Sequence, residues 1–113
     1  MATIVDIGAA DGWLVVAFRV DLDLATAPKA RSAIAANVGS IDEPLLLDLS
    51  CCEIVDSTGL GVLISLLRRA REANQRCAII GANPAVTRIL VVTGLDQLFE
   101  VLDAEHFPDV RVL

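Results

Sequence analysis

The stretch Leu45-Leu46-Leu47-Asp48-Leu49-Ser50-Cys51-Cys52-Glu53-Ile54-Val55-Asp56-Ser57-Thr58-Gly59-Leu60-Gly61 decides how this chain folds. Leu45, Leu46, Leu47 and Leu49 make a short apolar run, which suits a central strand buried on both faces of a sheet covered by helices. Residues 57–74 then repeat apolar side chains at helical spacing. Leu60, Leu63, Leu67 and Ala70 line one face, Val62, Leu66 and Ala73 widen it, and Ser65, Arg68, Arg69 and Glu72 lie opposite. Ala78 to Ile80 reads as the next strand. Residues 45–80 are therefore a strand–helix–strand unit whose two strands lie parallel.

Working outward, Thr3 to Ile7 and Trp13 to Val20 read as two strands joined by a turn at Gly8-Ala9-Ala10-Asp11-Gly12. Residues 26–36 begin with Thr26 as a capping residue and Pro28 in the first turn, then follow an Ala-rich helical pattern that fades by Gly39. Asn83-Pro84 opens a third helix running to about Val92, closed by Thr93-Gly94 as a glycine cap. Leu95 to Leu102 accommodates a short helix and an edge strand, and Asp103 to Leu113 has no decisive pattern. The order predicts one domain over residues 1–113: an α/β sandwich, with a mixed sheet of four to five strands and helices.

Composition agrees. The chain has 113 residues, enough for a core without staples, and is 55% apolar and 21% charged, which excludes disorder. Aromatic residues are only 4%, so the core must be aliphatic. No apolar run reaches the roughly 18 to 20 residues that span a bilayer, and no leader pattern stands at the N-terminus. The sequence thus predicts a cytoplasmic protein with no membrane partner. A net charge of −6 argues against direct nucleic-acid binding. Residues 1–56 hold nine acidic against three basic side chains, and residues 57–113 hold six of each, so the excess negative charge lies in the first half. Cys51, Cys52 and Cys77 are odd in number, which fits reduced thiols packed in core or loop.

Ser57 falls where the helix N-cap should be, with its hydroxyl near free backbone N–H groups; a phosphate there would be tolerated by its own helix. The plainer reading is a cap and nothing more. Gly59 and Gly61 would let another backbone approach closely.

Asp56-Ser57-Thr58-Gly59-Leu60-Gly61 resembles the signature of STAS-domain anti-anti-sigma factors, Asp-Ser-Ser/Thr-Gly-Leu-Gly, whose first Ser is the phosphorylation site. Two further landmarks follow the same order. Asp21-Leu22-Asp23-Leu24-Ala25-Thr26-Ala27-Pro28 is similar to the family's Gly-Glu-Leu-Asp-x-x-Thr-Ala-Pro. Asn83-Pro84-Ala85-Val86 and Thr93-Gly94-Leu95 match its Pro-Ala-Val and Thr/Ser-Gly-Leu. One departure is Val20, where the family has glycine, which bears on partner choice.

The resemblance implies a STAS-like fold and an anti-sigma factor antagonist, with Ser57 phosphorylated and a partner-binding surface of Asp21, Asp23, Asp56, Ser57, Thr58, Gly59, Leu60 and Gly61. It implies that Asp23 neighbours Ser57. The alternative for Asp21 and Asp23 is that they only cap the first helix. The implied partners are an anti-sigma factor that is also a serine kinase and a metal-dependent Ser/Thr phosphatase. Rival readings are a small STAS subunit of a lipid-transport ABC system and a STAS module sensing a nucleotide or ligand; Ser at 57 favours the phosphoswitch, since transport subunits more often carry Thr.

Nothing in the sequence adds an enzyme, a cofactor or a metal. His106 is the only histidine and has no nucleophile in a matching context. Gly59-x-Gly61 is too weak for a nucleotide fingerprint. Arg68, Arg69, Arg71 and Arg76 read as complements to a helix C-terminus on a solvated face.

Overall fold

The structure, a computed structural model, describes residues 4–103. The elements run β1 (Val5–Ala10), β2 (Trp13–Phe18), α1 (Ala27–Asn37), β3 (Leu45–Asp48), α2 (Ser57–Glu72), β4 (Cys77–Ile80) and α3 (Pro84–Val92), then a 3-10 turn at Leu95–Gln97 and β5 (Glu100–Val101). They build a five-stranded sheet in the order β1-β2-β3-β4-β5, as the expected mixed α/β sheet requires. β1 and β2 are antiparallel, and every other pair is parallel. His106 and the unassigned C-terminal residues from 104 onward lie outside the described residues, as does Thr3.

β3 is central, and Leu45, Leu46 and Leu47 are fully buried. Alternation along the strand sends them to opposite faces. Leu45 and Leu47 join Val16, Phe18, Ile79 and the apolar stripes of the three helices in the main core. Leu46 joins Trp13, Val15, Ala78 and Ile80 in a second cluster on the other face. α2 buries Val62, Leu63, Leu66, Leu67 and Ala70, whereas Leu60 and Ala73, expected on that stripe, are only half-buried.

Two boundaries differ from expectation for local reasons. The β1–β2 turn is only Asp11-Gly12, so Gly8, Ala9 and Ala10 continue β1. Both turn residues have positive φ, 52° and 83°, which a two-residue hairpin turn demands and which Asp and Gly tolerate best. Strand β2 stops at Phe18, where pairing to β1 ends. At the far end of α2 the chain leaves the helix through Ala73 and Asn74, the latter in the left-handed region at φ 58°. Gly94, at φ 76°, closes α3 as the sequence predicts.

Candidate functional site

The signature segment lies between the carboxyl end of β3 and the start of α2, and it is fastened on both sides. On one side it meets residues 21–24. Leu22 and Val55 form a parallel bridge, the Leu22 N–H donating to the Ile54 carbonyl and the Asp56 N–H to the Leu22 carbonyl, each at 3.0 Å. Both bridged side chains are buried. Alternation therefore turns Asp21, Asp23, Ile54 and Asp56 away from the core. On the other side, the Asn83 amide donates to the Glu53 carbonyl at 3.0 Å, while its Oδ1 accepts from Val86 N–H and caps α3.

The three carboxylates assigned to the site hold this frame together. Asp21 Oδ1 accepts from the N–H groups of Glu53 and Ile54 at 2.8 and 3.2 Å. Asp23 Oδ1 accepts from Ala25 and Thr26 N–H at 2.9 and 3.0 Å. Asp56 Oδ1 accepts from Gly59 N–H at 2.8 Å, and its Oδ2 accepts from Leu24 N–H at 3.0 Å. Asp23 thus does what a helix-entry cap does, but Asp21 does not: it stitches two loops. Thr26, the expected cap of α1, makes no cap bond; its hydroxyl turns back to the Asp21 carbonyl. Val20 needs no glycine, since among the described non-glycine residues only Asp11 and Asn74 have positive φ. Its carbonyl accepts the Cys52 thiol at 3.0 Å.

The N-cap of α2 is Asp56, a correction to the sequence reading that placed Ser57 there. A carboxylate reaches the N–H three residues on, so Asp at 56 leaves Ser57 one position inside the helix. The consequence is chemical. Ser57 is exposed, and its hydroxyl has no hydrogen-bond partner among the described residues. Thr58, Leu60 and Gly61 are half-buried beside it. Gly59 is buried, and the backbone it admits is the chain's own: a Cβ there would stand 2.1 Å from the Leu22 carbonyl oxygen.

Sequence reasoning missed two residues here. Leu24 and Ile54 are 73% and 59% exposed and flank the bridge next to Ser57. Their only signal was an apolar residue directly after an acidic one, Asp23-Leu24 and Glu53-Ile54, which does not separate a loop tip from a strand. The expectation that all three cysteines pack away holds for two. Cys52 and Cys77 are buried, with burial pushing each thiol up to about 12, while Cys51 is exposed beside Arg19; all three are free.

The STAS domain profile matches residues 5–111. The chain belongs to the STAS domain family. This STAS domain is 29% identical to the anti-sigma-B factor antagonist of Listeria monocytogenes over 87 residues, 75% of each chain. Among solved structures it is similar to an anti-sigma factor antagonist from Mycobacterium paratuberculosis, with TM-score 0.74 and 31% identity over 86% of this chain and 82% of that one. It also superposes on a chain from the molecular architecture of the stressosome, a signal integration and transduction hub, with TM-score 0.66 and 27% identity over 88% and 89%. Among the described residues of the STAS domain, no helix is long and apolar enough to cross a membrane, and no group of three or more His, Cys, Asp or Glu side chains could hold a metal ion.

Proposed function

We propose that this STAS domain is an anti-sigma factor antagonist whose affinity for its partner is switched off by phosphorylation at Ser57. The reading is carried by one observation: the Ser57 hydroxyl is exposed and unengaged on a helix that Asp56 already caps. The frame does not depend on that hydroxyl, so modifying it leaves the frame intact. The named relatives supply the class of partner, an anti-sigma factor; a partner that is also a serine kinase would close the circuit. In that step Ser57 Oγ attacks the γ-phosphorus of ATP, an Oγ–P bond forms as the bond to the departing ADP breaks, and the hydroxyl proton is released. A metal-dependent phosphatase would return the serine.

The docking surface would comprise Ser57, Thr58 and the exposed apolar pair Leu24 and Ile54, rimmed by Asp21, Asp23 and Asp56. A phosphoserine adds roughly −1.5 to −2 charges at pH 7. Facing one partner carboxylate about 6 Å away, that charge is unfavourable by about 5 kcal/mol at an effective dielectric near 20, and by less with screening. Even a surviving ~2.7 kcal/mol weakens binding about a hundredfold.

The test combines the chain with an anti-sigma factor of the serine-kinase type and ATP, locates phosphate by mass spectrometry, and measures affinity before and after. Ser57→Ala should bind and resist phosphorylation. Ser57→Asp should bind weakly with unchanged circular dichroism and Trp13 fluorescence. Phosphate on Thr58 alone would move the site, and undiminished binding of the Ser57-phosphorylated protein would defeat the switch.

A further inference from the structure

α1 and α2 lie side by side and run the same way: Arg31 on α1 reaches Gly61 on α2, and Arg69 on α2 donates to the carbonyls of Val38 and Gly39 at the end of α1. The groove between them, about 140 Å³, has these two arginines on its lining. They differ in employment. Arg69 is tied to the end of α1, whereas Arg31 has no hydrogen-bond or ion-pair partner among the described residues. The Arg31 guanidinium instead rests over Gly61, with Nη2 3.0 Å from where a Cβ would be. Gly61 gives it that berth, since any side chain at 61 would occupy it.

Ser57 and Gly61 are four residues apart on one helix, so their side-chain positions are neighbours about 5–6 Å apart on the same face. A helical side chain also covers surface over the turn N-terminal to its own Cα. With the two helices parallel, that direction carries the Arg31 guanidinium toward Ser57. The remaining charged groups around Ser57 on these loops, Asp21, Asp23, Glu53 and Asp56, are acids. An added dianion there would be repelled by these carboxylates, leaving the start of α2 and Arg31 as its favourable neighbours.

We propose that Arg31 is the receiving side chain for the phosphoryl group on Ser57, an intramolecular clamp parked over Gly61 until the phosphate arrives. The inference rests on Ser57 being the modified residue. A guanidinium suits the task because its planar fork pairs with two phosphate oxygens at once, and such charge-assisted pairs are the stronger hydrogen bonds. Neutralised in this way, the phosphate stays on its own helix without unfolding the acidic loops around it.

The experiment uses the full chain with phosphoserine installed at position 57 by genetic code expansion, so that no kinase or partner is needed. Titration followed by ³¹P NMR gives the second ionisation of the phosphate, which lies near 6 for a free phosphoserine. Arg31→Gln should raise it by about half a unit or more relative to the wild-type chain, and Arg31→Lys should recover part of the difference. In the wild-type protein the Arg31 Nε–H resonance should shift on phosphorylation, a readout that needs no variant. Equal titrations for wild type and Arg31→Gln, or an unmoved Arg31 resonance, would overturn the clamp. A partner that binds the phosphorylated chain undiminished would defeat the switch and leave this result standing, so the two readings fail separately.

Discussion

At position 59 an added Cβ would lie 2.1 Å from the Leu22 carbonyl oxygen, and that oxygen is held by the Asp56 N–H while the Leu22 N–H is held by Ile54. Backbone fixed from both sides cannot yield as a flexible side chain can. Gly59→Ala should therefore destabilise the domain by about 2–3 kcal/mol, despite the better helix propensity of alanine. Gly61 stands in the same helical turn but meets only the tip of Arg31. Gly61→Ala should lie within about 1 kcal/mol of wild type, because displacement of a surface side chain offsets the gain in propensity. Urea denaturation of the two variants measures the contrast, and equal losses would mean that the approach of α2 to Leu22 is not what position 59 protects. The sequence marked both glycines as places of close approach. It could not tell which one meets backbone, because the bridge between Leu22 and Val55 joins residues 33 apart.

At the scale of elements, the strands and helices were legible wherever local chemistry and burial agree. The apolar run of β3, the stripe of α2 and the glycine that closes α3 all stand where periodicity and cap signals put them. What failed was local competition: two residues suited to the cap of α2 stand side by side, and Asp56 won because its carboxylate both caps Gly59 and holds Leu24. The loops 21–24 and 49–56 were legible as motifs and not as contacts, since Asp21 and one oxygen of Asp56 are spent on backbone from the other loop. The same elements set the fate of the thiols. Cys77 lies in β4 and Cys52 under the loop, so native protein should react with a thiol reagent rapidly only at Cys51, and all three should react after unfolding. Each buried thiol is raised from 9.0 to about 12, with burial as the leading cause. A raised folded value means stability that is complete below the unfolded value and is lost as pH climbs from about 9 toward 12. Chemical denaturation at pH 8 and pH 10.5 should show this fall, and Cys77→Ala should flatten it; a pH-independent midpoint in the wild-type chain would overturn the prediction, and an equal fall in Cys77→Ala would exclude that thiol as the source.

For the whole molecule, the question is which part of the surface a partner meets. Among the described residues, large exposed apolar side chains occur in two regions: Leu24 and Ile54 beside Ser57, and Val91, Val92, Leu98 and Val101 around the end of α3 and β5. Only the first lies on the loops that lead into the residue whose modification would act as the switch. Interfaces draw most of their affinity from a few desolvated side chains near the centre, ringed by polar groups that exclude water. Leu24 and Ile54 ringed by Asp21, Asp23 and Asp56 have that layout, and their frame is already rigid, so docking would cost little ordering entropy. Burying one such side chain contributes about 1.5–3 kcal/mol. Leu24→Ser and Ile54→Ser should each weaken binding to the anti-sigma partner by at least about tenfold, since 1.4 kcal/mol is a factor of ten. Both side chains are exposed, so neither change should alter the unfolding free energy by more than about 0.5 kcal/mol. Val92→Ser, at 76% exposure on α3, makes the same chemical change away from Ser57 and should leave affinity as it was. Titration calorimetry of the three variants against the partner separates the surfaces: a loss confined to Val92→Ser would relocate the interface to the α3 end, and no loss at Leu24 or Ile54 would remove them from it.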